Sequence, residues 1–269
     1  MAYDNFKSTI WSRHIQHQLP KFTVFEPDCN YTFQGEVGKG KTVKILGVNT
    51  PTIGDYTGAS IGAPQIVTDS AMSLVIDQAK YFNFMVDDVD EAQAVDGLLN
   101  ALLEEATRAM AMTRDSYIAK LCATGAGRLE DATITSKETA IAAIDAGLKT
   151  LWDNGVSQRD SVTIYLDPAV YMYLAEHVIK HDTDNQKLLQ SGNLGNYMGA
   201  KVKLSNNLYK DAQDKVHLII KTSKGVAFAS GVDEVEAYRP ETLFCDAIKG
   251  LNLFGGKVIR PDEVYAIRY

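Results

Sequence analysis

The sequence predicts an α+β fold, and three observations carry that reading. Apolar residues alternate with period two over 74–86. The period changes to three and four over 90–124. From residue 132 onward, short helical and strand patterns follow one another without a regular βαβ alternation. The 269 residues suffice for one large domain or two small ones. A composition of 45% hydrophobic and 23% charged residues excludes a disordered, collagen-like or disulfide-scaffold chain. No apolar run approaches the ~18 residues of a membrane-spanning helix, and the N-terminus lacks the basic and apolar regions of a signal peptide. Cys29, Cys122 and Cys245 are too few and too scattered for a disulfide framework or zinc knuckle, and read as buried free thiols. The net charge of −7 argues against a generic DNA binder. Residues 51–105 carry ten acids and one base, Lys80, so this stretch holds −9 and the remainder +2.

Trp11, Ile15 and Leu19 stand four apart, which predicts a short amphipathic helix ending at Pro20. Val43 and Ile45 alternate with Thr42 and Lys44 in a strand over 42–50. Leu74, Ile76, Phe82, Phe84 and Val86 share one face of a long strand over 74–86. A loop punctuated by Gly47, Pro51, Gly54, Gly58, Gly62 and Pro64 separates the two. A lone two-stranded ribbon is marginal in water, so this one needs another surface to lie on. Leu98, Leu102, Ala106, Met110, Thr113, Tyr117 and Leu121 lie on the stripe of a helix over 90–124, with Asp90 and Gln93 box-like at its start and Gly125 as its C′ residue. Thr135 and Glu138 open a second helix, from about Lys137 to Asn154 and stopped by Gly155. A strand follows over Val162–Leu166, then Asp167-Pro168 starts a helix to about Lys180. After a polar loop, strands are expected at Val202–Leu204, Val216–Ile220, Val226–Ala229, Val235–Tyr238 and Leu251–Phe254, then a Gly255-Gly256 turn and a strand at Val264–Ile267.

Gly35, Gly40, Lys41 and Thr42 match the phosphate-loop pattern G-x-x-x-x-G-K-[ST], with Asp167 in the place of a metal-binding acid. Such a loop needs a buried strand before it and a helix N-terminus directly after it. Residues 30–34 are not a buried-strand run, and the β-branched run after Lys41 reaches Pro51 without a helical pattern, so the match is read as a basic glycine turn entering a strand. His177 and His181 stand four apart on a helix but lack a third ligand at metal-site spacing. Asp87, Asp88, Asp90 and Glu91 lack the glycine and closing glutamate of a calcium loop, and read as helix-start acids. No nucleophile elbow or paired-carboxylate context points to hydrolysis, so neither catalytic residue, cofactor nor metal is expected.

The order of elements, and the local sequence, resemble the major capsid protein of tailed double-stranded-DNA bacteriophages, the Hong Kong 97-type fold. Phe6 to Trp11 looks like the arm that opens such chains. Tyr31-Thr-Phe-Gln-Gly35, followed by Gly40-Lys41-Thr42-Val43, resembles the family's glycine turn into its extended loop, with Lys41 where aspartate is common. Asp55-Tyr56 and the stretch from Ile76 through Lys80-Tyr81 to Asp87, Asp88 and Asp90 resemble the closing of that loop and the entry to the spine helix. The resemblance implies an N-terminal arm over 1–34, an extended E-loop hairpin over 35–80 lying on a neighbouring subunit, a P-domain with spine helix over 81–131, an A-domain over 132–240 and a C-terminal return to the P-domain over 241–269. It implies a structural protein that forms pentamers and hexamers of an icosahedral or prolate head, with no enzymatic activity. Trp11, Lys41, Asp55, Tyr56, Lys80, Tyr81, Asp87, Asp88 and Asp90 are its candidate assembly-interface residues. Implied partners are further copies of the chain, a separate scaffolding protein, a portal, an optional decoration protein and packaged DNA bound without sequence specificity, and no membrane. Assembly in the host cytoplasm and residence in the virion follow, with the acidic stretch expected to face the lumen or the interfaces. A P-loop-like nucleotide binder and a non-viral compartment of the same fold are the alternatives.

Overall fold

The computed structural model of the chain describes residues 23–34, 42–48, 53, 69–87, 98–157, 160–181, 194–242 and 245–269. The expected helix over Trp11–Leu19, the expected glycine turn over 35–41, most of the chain between the first two strands and the expected helix start over 90–97 lie outside them. The alternating run after Lys41 forms β1 (Thr42–Val48), antiparallel to β2 (Asp69–Val75), with Val43 opposite Leu74 and Ile45 opposite Met72. The apolar run expected as one strand over 74–86 is divided at Ile76-Asp77, after which β3 (Gln78–Asp87) begins. The break lets Leu74 and Ile76 serve one cluster, with Val43, Ile45, Ala227 and Ala229. Phe82 and Phe84 serve another, with Leu103, Met110, Ala111 and Ile248.

β3 is one edge of a three-stranded antiparallel sheet completed by β10 (Cys245–Val258) and β9 (Val226–Tyr238), in the order β3-β10-β9. Two expectations fail here. The segments over 226–229 and 235–238 belong to one 13-residue strand. Gly255-Gly256 is no turn but the interior of β10. A Cβ on Gly255 would stand 2.2 Å from the Val75 carbonyl oxygen, so the glycine admits the base of the β1-β2 hairpin, backbone against backbone.

Helix α1 (Leu98–Gly125) packs its first half on this sheet. Its buried face runs through Leu103, Thr107, Met110, Ala111, Arg114, Asp115, Ile118 and Cys122. The expected stripe is rotated, with Leu102 and Thr113 exposed. Arg114 and Asp115 break the apolar pattern because residues 23–29 pair with them inside the protein, as detailed below. Gly125 lies in the last turn of the helix rather than beyond it. A Cβ there would meet the Val258 Cγ2 atom at 2.6 Å.

A second sheet runs β4-β11-β8-β5-β7-β6, from β4 (Arg128–Asp131), β5 (Val162–Leu166), β6 (Asn196–Tyr197), β7 (Ala200–Leu204), β8 (His217–Thr222) and β11 (Val264–Arg268). β11 pairs parallel with β4, and β5 parallel with β7; the remaining pairs are antiparallel. β5 and β8 are buried along their whole length. Helix α2 (Lys137–Asp153) covers one face, Gly147 lying against Ile220 and Tyr265. On the other, Tyr165 and Lys221 meet residues 25–29. The capping box of α2 is made by Ser136 and Thr139, one position beyond the Thr135–Glu138 pair expected, because the Thr139 hydroxyl also accepts the Ser136 N–H. Helix α3 (Pro168–His181) begins as expected, with the Asp167 carboxylate accepting the Ala169 N–H. No helix among the described residues is long and apolar enough to cross a membrane.

Candidate assembly surface

Pleating gives the three-stranded sheet two different faces. Phe82, Phe84, Ile248, Val235 and Ala237 point to α1. On the opposite parity of β3 stand Tyr81, Asn83 and Met85, and beside them on β10 stand Lys249 and Leu251. Tyr81 is 79% exposed and lies directly opposite Leu251, while Met85 is 62% exposed. Lys249 pairs with Glu236 at 2.8 Å and stands 5.0 Å from the Tyr238 ring centre. The Tyr238 hydroxyl reaches across β10 to the Asn83 side-chain amide at 3.2 Å. Polar side chains thus lock the middle of the face flat, while two large apolar side chains rise from its β3 side. Such a patch is what a protein interface requires, and stability of the subunit alone does not. Leu251 joins them at the register position where strand pairing brings it closest to Tyr81.

The hairpin supplies a second surface. Its base is fixed on the β9 and β10 strands through Val43, Ile45, Leu74 and Ile76. The base of the ribbon thus rests on a surface of the same chain. Within the loop between β1 and β2 the structure describes Ile53, whose side chain is 92% exposed.

The segment from Thr23 to Gln34 is held from below. The Asp115 carboxylate accepts the Val24 N–H at 3.0 Å and the Phe25 N–H at 3.2 Å. Burial pushes the Asp115 carboxyl above its ordinary range against these hydrogen bonds. The Arg114 guanidinium pairs with Glu26 and lies over the Phe228 ring at 5.1 Å. Phe25 stacks on Tyr165 with ring centres 4.0 Å apart. The Tyr165 hydroxyl and the Lys203 ammonium each donate to the Asp28 carboxylate at 2.6 Å. Burial alone would raise the Asp28 carboxyl, but these donors outweigh it and hold it below its ordinary value. The segment joins the β9 strand at Asn30, which exchanges hydrogen bonds with Val226 and Phe228.

Of the sequence candidates, Lys80 and Tyr81 are exposed on β3 and Asp87 ends that strand. Trp11, Lys41, Asp55, Tyr56, Asp88 and Asp90 lie outside the described residues. Of the phosphate-loop match, Gly35, Gly40 and Lys41 also lie outside, and Thr42 opens a strand where a nucleotide site needs a helix. His177 lies on α3, and His181 ends it. Sequence reasoning missed Met85, Leu251, Lys249 and Tyr238. The odd-numbered run Tyr81-Asn83-Met85, apolar at both ends of a strand whose other face is buried, was the available signal for the first.

No protein-family model matches the sequence, and no curated protein sequence matches it. Solved structures do. A chain of Mycobacterium phage Che8 is 28% identical, with a TM-score of 0.77 over 91% of this chain and 90% of that one. The capsid of cyanophage P-SCSP1u is 17% identical, with a TM-score of 0.75 over 91% and 88%. The virus-like particle of Pyrococcus furiosus is 12% identical, with a TM-score of 0.65 over 99% and 100%. The chain has the α+β fold of phage capsid proteins.

Proposed function

We propose that the protein is the major structural subunit of a phage head, and that its work is to bury surface repeatedly against further copies of itself. The agreement of fold over nine-tenths of both chains with a phage protein 28% identical in sequence carries this reading. The open sheet face with Tyr81 and Met85 supports it, because large side chains exposed on one flat face suit a contact with another copy. The segment over 35–80 acts as the extended loop, 81–131 and 241–269 as the peripheral body with the spine helix, and 132–240 as the body that gathers around the capsomer axes. Trp11, Lys41, Asp55, Tyr56, Lys80, Tyr81, Asp87, Asp88 and Asp90 lie at or near the contacts between subunits. A scaffolding protein and a portal join during assembly in the host cytoplasm, a decoration protein is optional, and the acidic stretch over 51–105 faces the packaged DNA or the interfaces. No catalytic role and no cofactor enter this function.

The full-length protein examined by sedimentation and electron microscopy should give pentamers, hexamers or closed shells. A strictly monomeric species at every concentration, with or without candidate scaffold, would overturn the proposal. A non-viral compartment is the second reading, favoured by the end-to-end agreement with the Pyrococcus furiosus particle. Particles isolated from the source distinguish the two by containing DNA or a protein cargo.

A further inference from the structure

We propose that polar and charged side chains of α1 and of the β5, β7 and β8 strands form a seat that fixes residues 23–30 in one register, and so fixes the point from which the chain continues toward residues 1–22 on one side and the β1-β2 hairpin on the other. The seat touches the segment at successive positions with different chemistries. Asp115 takes the N–H groups of residues 24 and 25. Arg114 takes the Glu26 carboxylate. Tyr165 and Lys203 take the Asp28 carboxylate, and the Lys221 ammonium takes the Asp28 carbonyl oxygen at 2.5 Å. Asn30 then bridges to Ala227. Arg114, Asp115 and Lys221 are each 3% exposed or less, so water has little access to replace these partners.

An apolar groove would tolerate a slip of one residue, since Val24 could replace Phe25 at modest cost. Here a slip of one residue would put Pro27 or Cys29, neither of which carries a carboxylate, where Tyr165 and Lys203 donate. A buried charge left without its partner is strongly destabilising, so every shifted register is penalised even where the pairing in the native register adds little net stability. What lies on either side gives that specificity a use. Residues 1–22 precede the segment, and 35–41, with Gly35, Gly38 and Gly40, lead to the β1-β2 hairpin. The seat is therefore the fixed point between the two parts, and contacts made within one subunit bear on how uniformly the subunits join. This last step rests on the assembly reading; the seat itself does not.

The test uses the full chain with Lys221→Met, which keeps the volume and removes the ammonium, and separately Asp115→Asn, which keeps the shape and removes the charge. Amide hydrogen exchange on the unassembled subunit should rise at least tenfold at residues 24, 25 and 28–30 in both variants. The amides of α2 and β5 should keep their protection. Particles from either variant should lose uniformity of size. Unchanged exchange at 24 and 25 in both variants, or an equal rise across α2 and β5, would overturn the seat. Raised local exchange with particles as uniform as the parent's would overturn its role in assembly. If the parent forms no particles, the assembly reading fails and the exchange data still decide the seat. Should Lys221→Met not fold, Asp115→Asn carries the same comparison.

Discussion

The Lys221 ammonium, on a side chain with no solvent exposure, donates to the carbonyl oxygen of Asp28 at 2.5 Å, joining a strand of the six-stranded sheet to a segment 193 residues earlier. The same ammonium stands 5.7 Å from the Tyr165 ring centre, and Tyr165 donates to the Asp28 carboxylate. One residue near the start of the chain thus satisfies a buried lysine through its backbone and a buried tyrosine through its side chain. This explains how an ammonium is tolerated on β8, a strand buried along its whole length.

Lys221→Ala should therefore destabilise the subunit by about 3 kcal/mol, since it leaves a cavity and an unsatisfied carbonyl. Lys221→Met should lose about half as much, because the stem volume remains. Urea denaturation checks both, with the midpoint falling and the slope unchanged.

Gly255→Ala should unseat the hairpin. The added methyl would stand 2.2 Å from the Val75 carbonyl oxygen and 2.7 Å from the Ile76 Cα, both backbone atoms that cannot swing away. The expected loss is about 1–3 kcal/mol, the range for overpacking a tight site. Protease sensitivity should rise over 42–75, while the six-stranded sheet keeps its hydrogen-exchange protection. Unchanged proteolysis in that stretch would show that the hairpin base does not depend on the contact.

What was legible in the sequence follows from which residues act through pattern. Val43, Ile45, Leu74 and Ile76 alternate, so the hairpin could be read and its need for a supporting surface stated. Phe82 and Phe84 marked the buried face of β3 for the same reason. Arg114 and Asp115 misled, because periodicity treats a charge as solvent-facing and cannot see the partner carried by residues 24–26. Gly255 misled in a related way. Sequence reads paired glycines as a turn, whereas here the missing Cβ serves a close approach by a strand about 180 residues away in the chain. On the open sheet face, Lys249 and Tyr238 carry no local signal, since their relation arises only when the strands pair.

His217 should make stability depend on pH. Its ring is buried against Tyr209, its two nitrogens find no hydrogen-bond partner among the described residues, and the Asp211 carboxylate lies 3.8 Å away. Burial pushes the imidazole below its ordinary value, outweighing the attraction of Asp211, and the Arg268 charge adds to the depression. The unfolded chain therefore takes up a proton at a pH where the folded chain does not. That contribution to stability is present above about pH 6.5, the ordinary imidazole value, and declines as pH falls toward the depressed folded value. Denaturation midpoints measured from pH 7.5 to 5 should fall less steeply in His217→Gln than in the parent. Equal slopes would exclude His217 as their source.

The Mg-ATP test addresses the phosphate-loop match directly. Thr42 begins a strand, so no helix N-terminus faces Gly40 and Lys41 from that side. Millimolar Mg-ATP should leave the melting temperature of the full chain unchanged, and Lys41→Ala should alter neither that result nor the subunit's stability. A ligand bound at one hundred times its dissociation constant would stabilise the protein by about 2.7 kcal/mol, so even modest binding would register.

The open face of the three-stranded sheet gives the sharpest separation of folding from assembly. Tyr81 and Met85 project from the side of β3 that α1 does not cover, and neither belongs to a buried cluster. Replacing exposed side chains of this kind changes subunit stability by no more than about 0.5 kcal/mol. Interface anchors behave differently: truncating a central aromatic commonly costs more than about 2 kcal/mol of association. Tyr81→Ser with Met85→Ser should therefore leave the urea midpoint of the subunit within error and raise the concentration at which particles form by at least tenfold. Asn83→Ser, which removes the amide that holds Tyr238 flat, should raise it less, since it loosens the platform without removing an anchor. If the Tyr81/Met85 variant assembles at the parent's concentration, subunits meet through some other surface, and the exposed base of the hairpin, with Val75 at 45% exposure, becomes the place to search.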